Sequence, residues 1–558
     1  MSKDIPHLRA TATSKQLIVN GEPFLVLGAE LQNSSLTSAA YMRGVWGKLK
    51  DAHINTVLGC VTWEHIEPEE GKFDFAELDQ IVTDARAHGL RLVLLWFGSF
   101  KNGLSTYAPS WVKTNSKRFP RAKLRKAGGE LAIADVVSIF HSEAQQCDAR
   151  AFSKLMAHLK HIDEGHFTVI MVQVENECGL LGDSRDGSQA AERCFNQPVP
   201  AELMDSLHER WDKLRPELRQ NLTNFRQRQA SNQSWAEVFG KSPQTDEIFM
   251  AYHYAKYIEG VASAGKAVYE LPLYHNVWLP AGGDDADPSM PVVAGGGQRP
   301  GEYPSGGGTP NVIDIWQISA PTLEFIAPDI YVADYITMCT KYRHRNQALF
   351  IPEQRRDEYG ARRIWASIGC YEAIGTSPFG IDTVDLADNS FVRHYKLLSQ
   401  VSSHVLQAQR EHQCFGFFFD ELRPDGTDPS PAKMISFGSW NLVIERSFVF
   451  GRPSAGSGMV IHKGDDRFLL LGWGYQVSYT HRSAPFTGLL RFDELEYDSS
   501  SKKLQKLREL NGDETRSGKS TVMPSESPDY GGFPIAITIP ARTAIAMVEV
   551  YALEDEQD

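Results

Sequence analysis

With 558 residues, 42% of them hydrophobic, the chain has enough apolar material for one large domain and at least one more. Its formal net charge of -13 excludes the basic surface that nucleic acid or an anionic membrane would require, and is compatible with a neutral small-molecule substrate. Seven cysteines without any Cys-x-x-Cys spacing read as reduced thiols, not as a disulfide frame or zinc site.

The first segment, Met1 to Lys15, is polar and lacks the apolar core of a signal peptide, and no apolar run approaches membrane-spanning length, so a cytoplasmic protein is expected, or a secreted one if a signal has been removed. Asn221-Leu222-Thr223 has the glycosylation pattern, which stays bare without export. Leu17 to Leu27 turns at Asn20-Gly21-Glu22-Pro23 and leads into a first strand, Phe24 to Leu27, followed by Glu30 and Asn33. A helix carrying Met42, Trp46 and Leu49 feeds strand two, Asn55 to Trp63. A helix from about Ala76 to His88 aligns Leu78, Ile81, Val82 and Ala85 on one face, and strand three follows at Arg91 to Trp96.

After a helix with Phe152, Leu155, Met156 and Leu159 comes the most informative stretch, Thr168 to Glu177. Its run of Val169, Ile170, Met171, Val172 and Val174 is that of a strand buried on both faces, and it ends in Glu175-Asn176-Glu177. A long, charged, largely helical insertion over about Ser184 to Gly265 precedes strand five, Leu273 to Trp278. Pro280 to Pro310 is rich in Gly, Pro and Asp; without a Gly-Lys-Ser/Thr it reads as a long loop, not a phosphate cradle. Strand six is placed at Asp329 to Ala333, leaving Tyr335 at its end. Strand seven runs from Ala348 to Glu353, and strand eight lies near Ala373 to Phe379.

Eight strands alternating with helices predict a (β/α)8 TIM barrel over residues 1–411, whose chemistry belongs at the C-terminal ends of the strands. From residue 412 onward the helices cease. Short strands at Cys414 to Phe419, Leu442 to Ile444, Met459 to His462, Phe468 to Trp473, Leu489 to Phe492, Ile535 to Ile539 and Ala544 to Val550 predict an antiparallel β-sandwich accessory domain over 412–558.

Glu177 and Glu353 each stand at the end of an apolar run, on different strands. Two strand-end carboxylates are the minimum equipment for glycoside hydrolysis, one protonated to donate to the leaving oxygen and one ionised to attack the anomeric carbon. Trp63, Trp96 and Trp278 at strand ends are candidate platforms for the apolar face of a sugar, as well as candidates for the core. Glu30, Asn33, Asn276 and Tyr335 are candidate partners of hydroxyls or of the nucleophile. Neither a His-Glu-x-x-His metal motif nor a Gly-x-Ser-x-Gly nucleophile elbow occurs, so no cofactor or metal is expected.

Asn176-Glu177 and Glu353 resemble the catalytic positions of the retaining glycosidases of clan A, whose acid/base Glu follows an Asn at the end of strand four and whose nucleophile ends strand seven. Within that clan residues 17–400 resemble the family 35 β-galactosidases, through Gly28-Ala29-Glu30, Trp63 with Glu67-Pro68-Glu69-Glu70-Gly71, and Val172-Gln173-Val174-Glu175-Asn176-Glu177. The resemblance implies a retaining β-galactosidase acting on an oligosaccharide or β-galactoside, with Glu177 as acid/base, Glu353 as nucleophile and Asn176 on the sugar 2-hydroxyl. The chain departs from that family after strand three, where Phe100-Lys101-Asn102-Gly103 stands in place of a Cys-Ala-Glu-Trp segment. A β-glucosidase or transglycosylase using the same carboxylates, or a carbohydrate-binding protein without catalysis, stays open at this point.

Overall fold

The computed structural model describes residues 4–222, 225, 233–281, 297–449, 452–453, 455–525 and 543–554. The expected strand at Ile535 to Ile539, Thr223 of the glycosylation pattern and most of the Gly-rich loop after Pro280 lie outside these residues.

Two compact units arise, Met1–Arg355 with Ile374–Leu386, and Arg356–Ala373 with Ala387–Asp558. The first holds an eight-stranded parallel sheet: β1 (Val26–Glu30), β2 (Thr56–Thr62), β3 (Arg91–Lys101), β4 (Val169–Asn176), β5 (Leu273–Trp278), β6 (Phe325–Asp329), β7 (Phe350–Gln354) and β8 (Gly375–Pro378). Its order is β6-β5-β4-β3-β2-β1-β8-β7. The ends of this row meet where Ile330 N donates to Glu353 O at 2.9 Å and Ile330 bridges Gln354, closing the barrel. Val26, Leu58, Val93, Leu95, Ile170, Tyr274 and Phe350 fill the interior. Leu17 and Val19, from the N-terminal hairpin strand Lys15–Val19, join the same core.

The apolar periodicities anticipate most of this. Helix Ala76–Ala87 buries Leu78, Ile81, Val82 and Ala85, and helix Ser142–Asp163 buries Phe152, Leu155, Met156 and Leu159. The expected helix through Met42, Trp46 and Leu49 is instead two short pieces, Ala39–Met42 and Trp46–Asp51, with all three side chains buried. Strand six lies one strand length earlier than expected, so its last residue is Asp329 and not Ala333. Its Pro328 offers no N–H to a ladder. The strand tolerates it because β6 pairs with β5 through Val277↔Pro328 and meets β7 only beyond it, at Ile330.

The second unit contains helices Glu358–Tyr371 and Ser390–Glu411 and the antiparallel strands β9 (Cys414–Phe419), β10 (Lys433–Phe437), β11 (Trp440–Arg446), β12 (Gly456–His462), β13 (Arg467–Trp473), β14 (Tyr475–His481), β15 (Phe486–Asp498), β16 (Lys503–Glu509), β17 (Ser520–Met523) and β18 (Ile545–Leu553). They form a six-stranded sheet, β9-β12-β13-β18-β15-β16, and a four-stranded sheet, β10-β11-β14-β17. Phe417, Leu470 and Val548 of the first sheet share one core with Leu442, Ile444 and Val477 of the second, which is the packing of a β-sandwich. No helix among the described residues is long and apolar enough to cross a membrane.

Candidate active site at the carboxyl end of the barrel

The site begins with an irregularity in β3. Trp96 pairs with Val174 and Lys101 with Asn176, so four residues on β3 stand opposite one on β4. A bulge of that size orphans backbone N–H groups that the ladder would otherwise satisfy. Glu175 takes them up: its carboxylate accepts from Ser99 N at 3.0 Å and Phe100 N at 2.7 Å. Asp148, from helix Ser142–Asp163, accepts from Trp96 Nε1 and Ser99 N, each at 2.9 Å, and hydrogen-bonds Glu175. A Cβ on Gly98 would collide with both carboxylates, so only glycine fits there.

Burial, followed by the neighbouring Asp148 charge, pushes Glu175 well above the ordinary carboxyl range, and burial raises Asp148 as well. The pair therefore holds a proton. A group that binds its proton more tightly when folded stabilises most below its unfolded pKa, and that contribution is lost as pH rises through the folded value. Glu175→Gln, which mimics the protonated acid, should match wild type near pH 5 and exceed it at pH 8 in denaturant melts. Glu175→Ala should cost about 2–4 kcal/mol at both, because Asp148 and the Phe100 N–H lose partners. An unchanged difference between wild type and Glu175→Gln across that range would exclude the shared proton.

The bulge delivers Lys101 and Asn102 to the mouth of the barrel. Lys101 N donates to Leu104 O at 2.8 Å and Leu104 N returns to Lys101 O at 3.0 Å around Asn102 and Gly103, both at positive φ, a two-residue Asn-Gly turn. Gly103 N then donates to Glu177 O at 3.1 Å. Glu175 and Glu177 themselves stand at φ 59° and 46°, so β4 does not alternate regularly at its end. Such residues cost about 1–3 kcal/mol each and persist where surrounding bonds over-determine them. Here Asn276 Oδ1 accepts from Glu177 N at 3.1 Å, and Asn276 Nδ2 donates to Asp329 Oδ2 at 2.7 Å.

Carboxylate oxygens of Glu177, Asp329 and Glu353 all lie within 4.8 Å of one another, each side chain at least nine-tenths buried. Tyr331 donates to Glu353 Oε1 at 2.7 Å. Burial, then the Glu353 charge, raises Glu177 to about 7, and the same causes put Asp329 and Glu30 well above their usual values. The three clustered carboxylates have the spacing of a cation site, and Lys101 adds positive charge near them. A cavity lined by Asn102, Glu177, Trp278, Asp329, Tyr331 and Glu353 opens onto them.

Of the sequence candidates, Glu30, Asn176, Asn276 and Trp278 thus gather with Glu177 and Glu353. Both amide atoms of Asn176 are buried without a hydrogen-bond partner, as are Glu353 Oε2 and Asp329 Oδ1, an arrangement suited to a ligand rich in hydroxyls. Four candidates lie elsewhere. Trp63 is wholly buried, donating to Glu67 Oε2 at 2.8 Å and packing edge-on to Trp111. Trp96 is wholly buried on Asp148 and Phe152. Asn33 is half-buried, its carbonyl accepting from the Cys60 thiol and its side chain bonding Tyr107. Tyr335 is buried in the first turn of helix Tyr335–Tyr342, donating to Gln354 at 2.8 Å. Because β6 ends earlier than expected, Tyr331 and Asp329 occupy the mouth in place of Tyr335. Sequence reasoning missed them together with Lys101, whose signal was the departure after strand three.

Residues 40–239 match the family model described as Beta-galactosidase (Glyco_hydro_42), and residues 391–521 match a Domain of unknown function (DUF5597). The first match covers β2 to β4 and Glu177 and stops short of Glu353. No curated protein matches the chain. Similar solved structures include the β-galactosidase from Bacillus circulans sp. alkalophilus, at 14% identity over 69% of this chain and 57% of that one, TM-score 0.44. Another is the catalytic domain of β-amylase from Paenibacillus polymyxa, at 11% identity over 66% of this chain and 96% of that one, TM-score 0.45. The chain thus spans less than two thirds of that β-galactosidase. The family model does not confirm the family 35 resemblance and fits better as family 42, of the same clan A; the chain carries a glycoside hydrolase domain.

Proposed function

We propose that the chain is an exo-acting retaining β-glycosidase that releases terminal β-galactosyl residues by double displacement, with Glu177 as acid/base and Glu353 as nucleophile. The observation that carries this reading is the approach of the two carboxylates to within 4.8 Å across the strand ends, since retaining enzymes hold theirs at roughly 5–5.5 Å and inverting ones leave room for a water. In the first step Glu353 attacks the anomeric carbon and the glycosidic C–O bond breaks, its oxygen taking the proton of Glu177. In the second Glu177 removes a proton from water, whose oxygen displaces Glu353 and restores the β configuration. Burial suits Glu177 to this alternation, because an acid near pKa 7 is both a donor and, once ionised, a base at neutral pH.

Trp278 at the end of β5 supplies an apolar wall for the sugar, and Asn176 a donor and acceptor for its 2-hydroxyl. For the rest of the chain we keep the division at residue 411, with a barrel before it and a β-sandwich accessory domain after it. The family model and the sugar resemblance favour galactose as the glycone. The test is a panel of nitrophenyl β-glycosides with the anomer of the first product read by proton NMR. Preferred turnover of the β-galactoside with initial release of β-galactose is expected. Initial release of the α-anomer would overturn retention, preference for the β-glucoside would change the sugar, and inertness toward every glycoside would favour a binding protein.

A further inference from the structure

Lys101 is 7% exposed, and among the described residues its ammonium makes no hydrogen bond and no ion pair within 4.0 Å. It lies 4.8 Å from the Phe97 ring centroid, an apolar floor that satisfies none of its three N–H donors. Its Nζ is not among the enclosed polar atoms without partners, so the stem is buried while the ammonium tip faces open space, and its partial desolvation is costly unless something compensates it. Burial opposes its charge, and Glu353, Glu177, Glu30 and Asp329 outweigh that and leave it above its ordinary value. Charge is therefore balanced at a distance while the hydrogen bonds stay unmade. On the same side Asn176 Oδ1, Asn102 Oδ1, Asp329 Oδ1 and Glu353 Oε2 are buried and lack donors. Asn102, Asp329 and Glu353 line the cavity, with Lys101 next to Asn102 and Asn176 next to Glu177 in the chain, so donors without acceptors and acceptors without donors meet where a ligand could complete both.

We propose that Lys101 is a catalytic residue of this site, donating from its ammonium to oxygens of a neutral glycone and acting as the fixed counter-ion of Glu353. The inference rests on the glycosidase reading. It also bears on substrate class. Glu30, Glu177 and Asp329 all hold their protons more tightly than ordinary carboxyls, which is what crowding of buried negative charge around one ammonium produces. A glycone bearing its own carboxylate would add a further buried negative charge to a site with four carboxyls and one ammonium, whereas a neutral hexose adds none. The groups facing Lys101 are Glu30 from β1, Cys60 from β2, Glu177 after β4, Asp329 from β6 and Glu353 from β7, with Tyr107 beside Cys60. None of them is a second cation.

Wild type, Lys101→Met, Lys101→Gln and Lys101→Arg are compared by kcat/KM against pH on a neutral aryl β-glycoside and on the matching β-glycuronide. Removing a preorganised electrostatic donor typically costs about 10²–10³-fold, the loss expected for Met and Gln. In both neutral variants the acidic limb should also move to higher pH by about one unit or more, while Arg leaves it in place. Should neither neutral variant fold, a crystal structure of wild type soaked with the free sugar decides: Lys101 Nζ within hydrogen-bond distance of a sugar oxygen supports the proposal. An ammonium still without an oxygen partner in that complex overturns it, as does an unmoved acidic limb in a folded neutral variant, or preference for the glycuronide. Failure of wild type on every glycoside would instead sink the glycosidase reading itself, so the two failures are distinguishable.

Discussion

Glu353→Ala is expected to lower kcat/KM for an aryl β-glycoside by about 10⁴-fold, equivalent to about 5.4 kcal/mol of barrier, because it removes the atom that forms the bond to the anomeric carbon. The loss should hold for every leaving group, since no later step bypasses the nucleophile. Three features suit Glu353 to the role proposed for it: its Oε1 is fixed by Tyr331 at 2.7 Å, its Oε2 has no partner, and its backbone carbonyl is held by Ile330 N at the seam that closes the barrel. Added azide should return turnover of Glu353→Ala with an α-glycosyl azide as product, azide entering from the vacated face. The check is the anomeric configuration of that azide. Residual activity within tenfold of wild type would show that another group attacks.

The second large effect is on Glu177→Ala, and it should depend on the leaving group. General acid catalysis is typically worth about 10²–10⁴, so an alkyl or sugar aglycone, which needs the proton, should lose that much. A dinitrophenyl glycoside should form the glycosyl-enzyme almost normally and then accumulate, because no base activates water. Azide, which needs no base, should rescue this variant and give the β-glycosyl azide, the opposite anomer to that from Glu353→Ala. The pH dependence follows from the same group. Burial and the Glu353 charge hold the Glu177 proton to about pH 7, so the basic limb of kcat/KM should lie near 7. Activity falls above that value because the acid is no longer protonated, and the limb should vanish from Glu177→Ala with an activated substrate. A basic limb that persists there would assign the proton to Asp329 or Glu30, the other buried carboxyls beside it.

Much of this was legible in the sequence where burial alone dictates the pattern. A strand covered on both faces admits only apolar side chains, so Val169 to Val174 and Leu349 to Ile351 marked β4 and β7 and left Glu177 and Glu353 as the polar residues at their ends. Helical periodicity marked the faces of Ala76–Ala87 and Ser142–Asp163 for the same reason. The sandwich strands Trp440–Arg446 and Arg467–Trp473 announced themselves by β-rich runs between turns, whereas Lys503–Glu509, almost wholly exposed, carried no such signal.

What escaped the sequence is what long-range contacts decide. Trp63 and Trp96 sit at strand ends, yet Glu67 and Asp148 draw their indole N–H groups into the core, and no local pattern distinguishes that from a sugar platform. The β3 bulge depends on Asp148 and Glu175, 49 and 76 residues away from Ser99, to take up its N–H groups. The same bulge turned the segment that departs from the family 35 pattern into the one that presents Lys101. Position along a strand was likewise beyond the sequence at β6, where Phe325 to Ala333 is apolar enough for two registers and only the seam at Ile330 selects Asp329 and Tyr331 for the mouth. Sequence determined which strands exist and which two carboxylates end them, because burial acts residue by residue. The tertiary structure decided which other polar groups reach those carboxylates and which keep a proton, because field and desolvation sum over every strand that converges on the site.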